Sequence, residues 1–237
     1  MHNFEFLLGQ EIYNNQYKQQ FQENRYFPRS VEAQRAFDNM ELGTPWQSTS
    51  FRSTPNRTAS FFGQVSYNFN HKYLAAFTIR ADGSTKFAPN HQWGYFPSIS
   101  GAWVLSKEKF MKNIKWIDNM KIRASLGTSG NNNISDDLWR YLYTVSTTGG
   151  PGFGESTPNG EQYYSFGSGS QLVNPKVKWE TTIKRNLAAD ISLFDGRLQI
   201  TPEFYWNTTK DLLYQSDIPS TTGYTTQMQN IGQVSNH

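Results

Sequence analysis

Apolar and polar residues alternate along several segments of this chain. The clearest case begins at Ala59, from which every second residue up to Phe69 is apolar or small, while the residues between them are mostly polar. The alternation breaks at residues 70–72 and resumes from Tyr73 to Ala81. A period of two residues is typical of a β-strand with one apolar face. The two segments therefore predict an antiparallel hairpin with a short turn.

The same alternation recurs to the end of the chain. Its further segments are 95–105, 120–127, 182–193 and 198–207, with another strand at 4–8 and a last one beginning within 227–236. Arg185 is the one charge on the apolar face of its segment, and Asp195-Gly196 is a strong type I′ turn signal. These segments predict about eight or nine antiparallel strands.

The length of the segments points to a membrane. Most of them run to roughly 10–12 residues, whereas strands of globular proteins usually have about 5–6. Eleven residues at about 3.3 Å each, tilted by about 45°, rise about 26 Å, which matches a hydrocarbon layer. Helical spans are excluded, because the sequence contains no run of about 18 apolar residues.

The connections between the segments alternate between short and long. Short turns follow Phe69 and Phe194, and a middle-sized connection at 106–119 is expected to hold a helical turn. The long connections are 18–57, 83–92, 128–178 and 208–226, with a short helix expected over 30–39. Transmembrane barrels have short periplasmic turns and long extracellular loops. The predicted fold is therefore all-β, an antiparallel transmembrane β-barrel segment that is incomplete, with aromatic belts at its strand ends.

Composition narrows the function. Lys and Arg number 22 and Asp and Glu 19, a net charge of +3 that predicts no nucleic-acid partner. A mean hydropathy of −0.68 fits a barrel, because only one face of each strand meets lipid. The chain has no Cys, and its four His are scattered, so we expect no metal site and no cofactor. Without a nucleophile or carboxylate-pair motif, we expect no catalytic residues and no enzyme.

Three stretches carry a resemblance to a known family. They are "KYL" to "RADGSTKF" with "GYFPSISGAW" (72–103), "MKIRASLG" with Gly130-Asn131, and "NPKVKWETT" (174–182) with "TKDLL" (209–213) and Gly223. In order and spacing they resemble the C-terminal barrel region of SusC/RagA-type TonB-dependent outer-membrane transporters. The resemblance is specific over about residues 56–236 and looser over the first 55.

The resemblance implies a location, partners and a larger protein. The expected location is the bacterial outer membrane, with its lipid around the barrel, a SusD-like surface lipoprotein as partner, and an oligosaccharide or peptide as substrate. Family members have a signal sequence, a plug domain and about 22 strands, so residues 1–237 are interpreted as one partial barrel domain without plug or signal peptide. Contact with the TonB complex is then expected through the missing N-terminal region. An open set of strands would leave unpaired edges in lipid, which favours a fragment.

Two sets of residues are candidates for particular roles. The structural set is Arg80, Asp82, Gly83, Phe96, Pro97, Gly130 and Asn131. In it, Arg80 and Asp82 are expected on the lumen side, paired with neighbours, Gly83 is expected to allow a turn, and Pro97 to mark a bulge or strand start. The ligand set consists of loop aromatics that suit sugar rings, although loop packing explains them equally well: Trp46, Trp139, Tyr141, Tyr163 and Tyr164.

Two alternatives remain open at this point. One is a soluble β-sandwich that binds carbohydrate, and the other is a TonB-dependent siderophore or peptide receptor. The environment of the apolar strand face separates the sandwich from the barrel. In a barrel that face meets lipid, whereas in a sandwich it packs against a second sheet.

Overall fold

A computed structural model describes residues 1–141, 143–146 and 165–237. Its strands in chain order are β1 (His2–Asn15), β2 (Lys18–Arg25), β3 (Thr44–Arg52), β4 (Asn56–Phe69), β5 (Tyr73–Ser84), β6 (Trp93–Val104), β7 (Ile117–Asn131), β8 (Tyr143–Ser146), β9 (Ser165–Ser168), β10 (Gln171–Leu172), β11 (Glu180–Leu193), β12 (Leu198–Ile200), β13 (Glu203–Lys210), β14 (Leu213–Asp217), β15 (Thr226–Asn230) and β16 (Gln233–Asn236). One helix, α1 (Ala33–Asp38), and four 3-10 turns complete the elements, the turns being Met40–Leu42, Leu105–Lys107, Lys109–Met111 and Ser220–Thr222. Within the described residues, no helix has both the length and the apolarity that a bilayer crossing needs.

Most of the long strands form one sheet. Its order is β1-β4-β5-β6-β7-β11-β13-β16, with β12 also paired to β11. The pairings from β4 through β16 are antiparallel, and the five strands β4 to β7 and β11 have 12–15 residues each. The predicted number of strands is confirmed for this sheet. These five long strands have the predicted length or slightly more, whereas β12, β13 and β16 are shorter. The sheet is open, with β1 at one edge and β16 at the other.

Two tight turns connect neighbouring strands as the sequence predicts. Asn70 and His71 both have positive φ, 52° and 55°, and Lys72 N–H donates to Phe69 C=O at 2.9 Å. Asp195 and Gly196 have φ of 55° and 76° within the turn closed by Arg197 N–H. Both are type I′ geometries, whose twist matches that of the flanking strands. The type I′ prediction at Asp195-Gly196 is confirmed.

The register sorts the side chains onto two faces. Val65, Phe77, Ile99 and Leu126 are directly paired across four strands, and they are 37%, 46%, 56% and 49% exposed. The next row of paired residues is polar or small and lies on the opposite face: Ser66, Ala76, Ser100, Ser125 and Asn186. The apolar face will be called the outer face, and the polar one the inner face.

Aromatic side chains line the sheet at the end where its short turns lie. Ring centroids are 6.2 Å apart for Phe69 and Tyr73, 6.2 Å for Tyr73 and Trp103, and 6.4 Å for Trp116 and Phe194. At the opposite end, Phe61 stacks on Trp93 at 6.1 Å. Aromatic rings at both ends of an apolar face are the arrangement of interfacial belts.

Two prolines lie inside strands. Pro97 is inside β6 and directly opposite Ile79 in an unshifted register, so the expected bulge or strand start is wrong. Pairing of β6 with β7 begins at Ser98, one residue later, so the missing N–H of Pro97 lies where that ladder ends. Pro202 separates β12 from β13 while the register with β11 continues. Its C=O accepts from Ala189 N–H at 3.1 Å, and the return bond is impossible for proline.

The chain divides into two compact units, Met1–Tyr13 with Arg57–His237, and Asn14–Asn56. The second unit contains the β2–β3 hairpin and α1, which confirms the short helix expected over 30–39. The hairpin itself was not predicted, because Gln and Ser residues occupy both of its faces and leave no apolar alternation. The other long connections likewise contain short strands, including the β14–β15 hairpin.

Candidate substrate-facing surface

The inner face carries a depression of ≈ 490 Å³. Hydroxyl and amide side chains contribute much of its lining, as at Ser66, Ser100, Ser125 and Asn186. These groups both donate and accept hydrogen bonds without carrying charge. The surface can therefore solvate a polar solute or bind it by hydrogen bonds. The groups share this face because side chains alternate between the two faces of a strand.

Four charged residues on the inner face are paired with each other. Asp190 lies 3.5 Å from Lys121 Nζ and 3.4 Å from Arg123 Nε, and Glu203 lies 3.7 Å from the Arg123 guanidinium. Asn186 donates a further hydrogen bond to Glu203. Two cations thus meet two carboxylates, which leaves this part of the inner face nearly neutral.

Arg80 and Asp82 also face inwards. Arg80 Nε donates to both carboxylate oxygens of Asp82, at 2.7 and 3.0 Å, and its terminal nitrogen lies 3.2 Å from Glu11. The guanidinium also lies 5.6 Å from the centroid of the Phe62 ring. With two carboxylates in reach, the arginine links β1 to β5, which supports a structural role.

Above the inner face, at the end where the long loops lie, four connections pack into a loop module (residues 85–92, 132–141, 169–179 and 211–232). Phe87 and Val177 are fully buried, Ile134 and Leu138 are 7% exposed, and three half-buried side chains pack against them: Trp179, Leu213 and Met228. Burial of several large apolar side chains gives these loops a core of their own.

Polar side chains join the strands of the loop module. Asn230 accepts from Lys178 N–H and donates to the carbonyls of Lys178 and Asp211, all at 2.9 Å. Glu180 accepts from the Asn131 side chain and from Leu213 N–H, both at 3.0 Å. Backbone groups in connections need such partners when they leave a regular ladder.

Several residues of the structural set meet at the base of this module. Phe96 is 7% exposed and contacts Trp179 edge to face at 5.5 Å, while Trp179 donates its indole N–H to Gln92 C=O at 2.9 Å. A Cβ on Gly130 would lie 2.6 and 2.7 Å from two ring carbons of Phe96, which is closer than real contacts allow. Gly130 is thus required for Phe96 to pack.

Gly83 has a packing role as well, and not the expected one. It lies within extended β5, opposite Trp93, and its φ is not positive. A Cβ there would lie 3.1 Å from the Trp93 ring. The expectation that Gly83 allows a turn is therefore wrong, since the turn begins only after Ser84.

The loop aromatics do not form one described site. Trp46 is 54% exposed and lies in the Asn14–Asn56 unit, where the Arg25 guanidinium stacks over it at 4.2 Å. Trp139 is half-buried and donates to Thr85 C=O at 3.4 Å, whereas Tyr141 is 57% exposed. Tyr163 and Tyr164 lie outside the described residues.

Sequence reasoning missed Glu108 and Trp179. Glu108 accepts from Tyr73 O–H at 2.8 Å, Trp103 N–H at 3.2 Å and Lys72 at 3.1 Å. These three hydrogen bonds, led by that of Tyr73, hold the pKa of Glu108 below its ordinary value. Glu108 lies between two lysines in the sequence, where nothing distinguishes it from a solvated acid. Trp179 lay within the family-like stretch, but no pattern indicated its contact with Phe96.

No cluster of three metal-ligating side chains exists among the described residues. Nor does a second sheet cover the outer face in the part of the chain that the structure describes. A long-stranded antiparallel sheet with an uncovered apolar face, a polar inner face and connections sorted by length defines part of a membrane β-barrel wall.

Comparison with known proteins gives the family. The family described as "TonB dependent receptor-like, beta-barrel" matches residues 2–237, and the chain belongs to it. This places the chain in the bacterial outer membrane. The resemblance to SusC/RagA-type proteins is confirmed at the level of relatives and fold.

Three similar proteins illustrate the match. The TonB-dependent receptor P3 of Formosa agariphila is 32% identical over 99% of this chain and 22% of its own length. The TonB-dependent receptor SusC of Bacteroides thetaiotaomicron is 35% identical over 78% of this chain and 18% of its own length. The solved RagAB peptide transporter shares the fold, with a TM-score of 0.82 at 22% identity over 99% of this chain and 24% of that one. The chain thus spans about a fifth of the length of these relatives.

Proposed function

We propose that residues 1–237 form one partial barrel domain in the wall of a TonB-dependent transporter that imports oligosaccharides. The observation that carries this proposal is the division of one sheet into an exposed apolar outer face and an inner face rich in hydroxyl and amide groups. Such a wall separates lipid from a polar passage. Its open edges at β1 and β16 need further strands, because unpaired backbone groups are not tolerated in lipid.

The chemistry of the inner face supports a neutral polar substrate. Serine and amide side chains match the many hydroxyls of a sugar, and the charges of Lys121 and Arg123 are offset by those of Asp190 and Glu203. Tyr141 and Trp46 expose aromatic surface that suits the apolar faces of sugar rings. We propose them as ligand contacts, with Trp139 as a packing residue.

The proposed partners follow from the family. A SusD-like surface lipoprotein would lie on the loop module, and the TonB complex would act through a region of the longer protein outside this chain. The presence of SusC among the relatives supports this assembly. The ordered core of the loop module supports it too, since a rigid surface loses little entropy when a partner binds.

A peptide is the second candidate substrate. Three solved structures of a RagAB peptide transporter or importer share the fold of this chain, with TM-scores of 0.82, 0.83 and 0.80. Charged groups on the inner face would then contact peptide termini or side chains.

A pair of adjacent substitutions tests transport. In the full-length protein, Ser125→Trp projects a large ring into the inner depression, whereas Leu126→Trp places the same ring on the outer face, where lipid accommodates it. We expect Ser125→Trp to lower the initial uptake of a labelled oligosaccharide to the level of cells without proton-motive force. Leu126→Trp is expected to transport normally.

The outcomes separate the candidates. Energy-dependent uptake of labelled peptides but not of oligosaccharides would show that the substrate is a peptide. Equal uptake by the two tryptophan variants would show that the inner face does not line the transport pathway. Affinity purification of the tagged full-length protein, compared with a variant whose loop module core is disrupted by Phe87→Asp, tests the lipoprotein partner. Heat-modifiable gel mobility serves as the folding control for every variant.

A further inference from the structure

The connection between β6 and β7 is unusually basic for its place beside the outer face. Residues 105–116, the basic turn, contain exposed lysines at four positions: Lys107, Lys109, Lys112 and Lys115. No salt bridge forms at any of these four among the described residues. Its one acid, Glu108, is already engaged by Lys72, Tyr73 and Trp103.

The surrounding turns do not neutralise this charge. Residues 70–72, 105–118 and 194–197 together contain six cations and three anions, a net charge of +3 that equals the net charge of the whole chain. Two of those anions already have partners, because Glu108 binds Lys72 and Asp118 accepts from Gly196 N–H at 2.9 Å. The short-turn end therefore presents a local excess of positive charge.

The basic turn is held directly against an aromatic belt. Val104 and Leu105, at its start, are buried, and Glu108 binds the belt residues Tyr73 and Trp103. At its other end, Trp116 stacks on Phe194, and both rings are about half exposed. Phe110, between the lysines, is 63% exposed. Exposed aromatic rings with cations beside them are the composition of a surface that lies at a lipid headgroup layer.

We propose that the basic turn is a binding surface for the negatively charged headgroups of phospholipids of the phosphatidylglycerol class. Phe110 and Trp116 insert at the edge of the apolar layer, and the four lysines contact headgroup phosphates beside them. Charge complementarity and continuity with the belt select a lipid over a soluble anion, since only a lipid contacts rings and lysines together. The inference rests on the membrane location of the family and not on transport.

A local reporter tests the proposal. The chain has no Cys, so Asn113→Cys, at an exposed position of the basic turn, provides one labelling site within it. The full-length protein, with every Cys outside residues 1–237 replaced by Ser, carries a fluorophore there. It is placed in phosphatidylcholine bilayers with equal fractions of nitroxide-headgroup phosphatidylglycerol or nitroxide-headgroup phosphatidylcholine. Where one lysine contacts one headgroup, we expect a local preference for phosphatidylglycerol of about fivefold. Added salt is expected to abolish the preference.

Matched variants identify the cause. Replacement of all four lysines by glutamine should bring the quenching ratio of the two lipids to one, whereas replacement by arginine should preserve it. If the fourfold variant does not fold, the double variants K107Q/K109Q and K112Q/K115Q take its place, and each should give an intermediate quenching ratio. A reporter at exposed Asn90, among the long loops, is expected to show no preference. Equal quenching by both lipids in the unsubstituted protein, or a preference that survives the glutamine replacements, overturns the proposal, and neither result bears on transport.

Discussion

Gly130→Ala tests whether the loop module depends on the packing of Phe96. The added Cβ would lie 2.6 and 2.7 Å from ring carbons of Phe96, so the ring or the strand must shift. The ring has little room, because it is 7% exposed and packs on Trp179. Trp179 is itself held by its bond to Gln92 and by the Phe87 ring at 5.2 Å. Overpacking of a filled site costs about 1–3 kcal/mol.

The expected consequence is local opening of the loop module. A cost of about 2 kcal/mol raises the population of the open form by about 30-fold. Hydrogen exchange of the full-length protein in detergent measures this at amides whose bonds depend on the module. They are those of Ile134, Asn174 and Val177, which bond to backbone carbonyls within it. We expect exchange there to be about 30-fold faster, with the β5–β6 ladder unchanged.

Gly101→Ala is the matched control. Gly101 lies in the same sheet, and a Cβ there would be 3.8 Å from Leu74 C=O, an ordinary contact. In the Gly101→Ala variant, the amides of the loop module are expected to exchange as fast as in the unsubstituted protein. Phe96→Ala combined with Gly130→Ala should cost less than the sum of the two single changes, because the clash disappears with the ring. If Gly130→Ala and Gly101→Ala exchange alike, the packing argument is refuted.

Two further predictions concern the sheet and its short-turn end. Phe77→Arg places a charge on the outer face, at a cost of about 2–4 kcal/mol near the bilayer midplane. We expect it to reduce the heat-modifiable folded band, whereas Thr78→Arg on the inner face should not. Equal folding of the two variants would contradict the assignment of faces. Since its hydrogen bonds lower the pKa of Glu108, the stability it contributes is complete above the ordinary carboxyl pKa and is lost as pH falls through the lowered value. Thermal unfolding should therefore show a larger loss of stability on acidification for the unsubstituted protein than for Glu108→Gln, and parallel pH profiles would argue against this role.

The sequence alone determined the sheet. Alternation from Ala59 to Phe69 and onward predicted the strands, their faces and the short turn after Phe69, because a period of two maps directly onto a pleated strand. The Asp195-Gly196 dipeptide predicted the type I′ turn. Segment length predicted the membrane, since each strand must be long enough to cross the whole hydrocarbon layer. The β2–β3 hairpin was not predicted, because neither of its faces is apolar and its pairing depends on backbone hydrogen bonds that no side-chain pattern reveals.

Only the tertiary structure decided how distant residues meet. Phe96 and Gly130, in two neighbouring strands, meet Trp179 of the loop module, and the reason for the glycine is a ring 34 positions away in the sequence. Glu108 is likewise an ordinary acid in the sequence and acquires its three donors only when two turns fold against each other. Alternation is a local property that one strand expresses by itself, whereas packing and hydrogen-bond partnership depend on register and on the approach of separate loops.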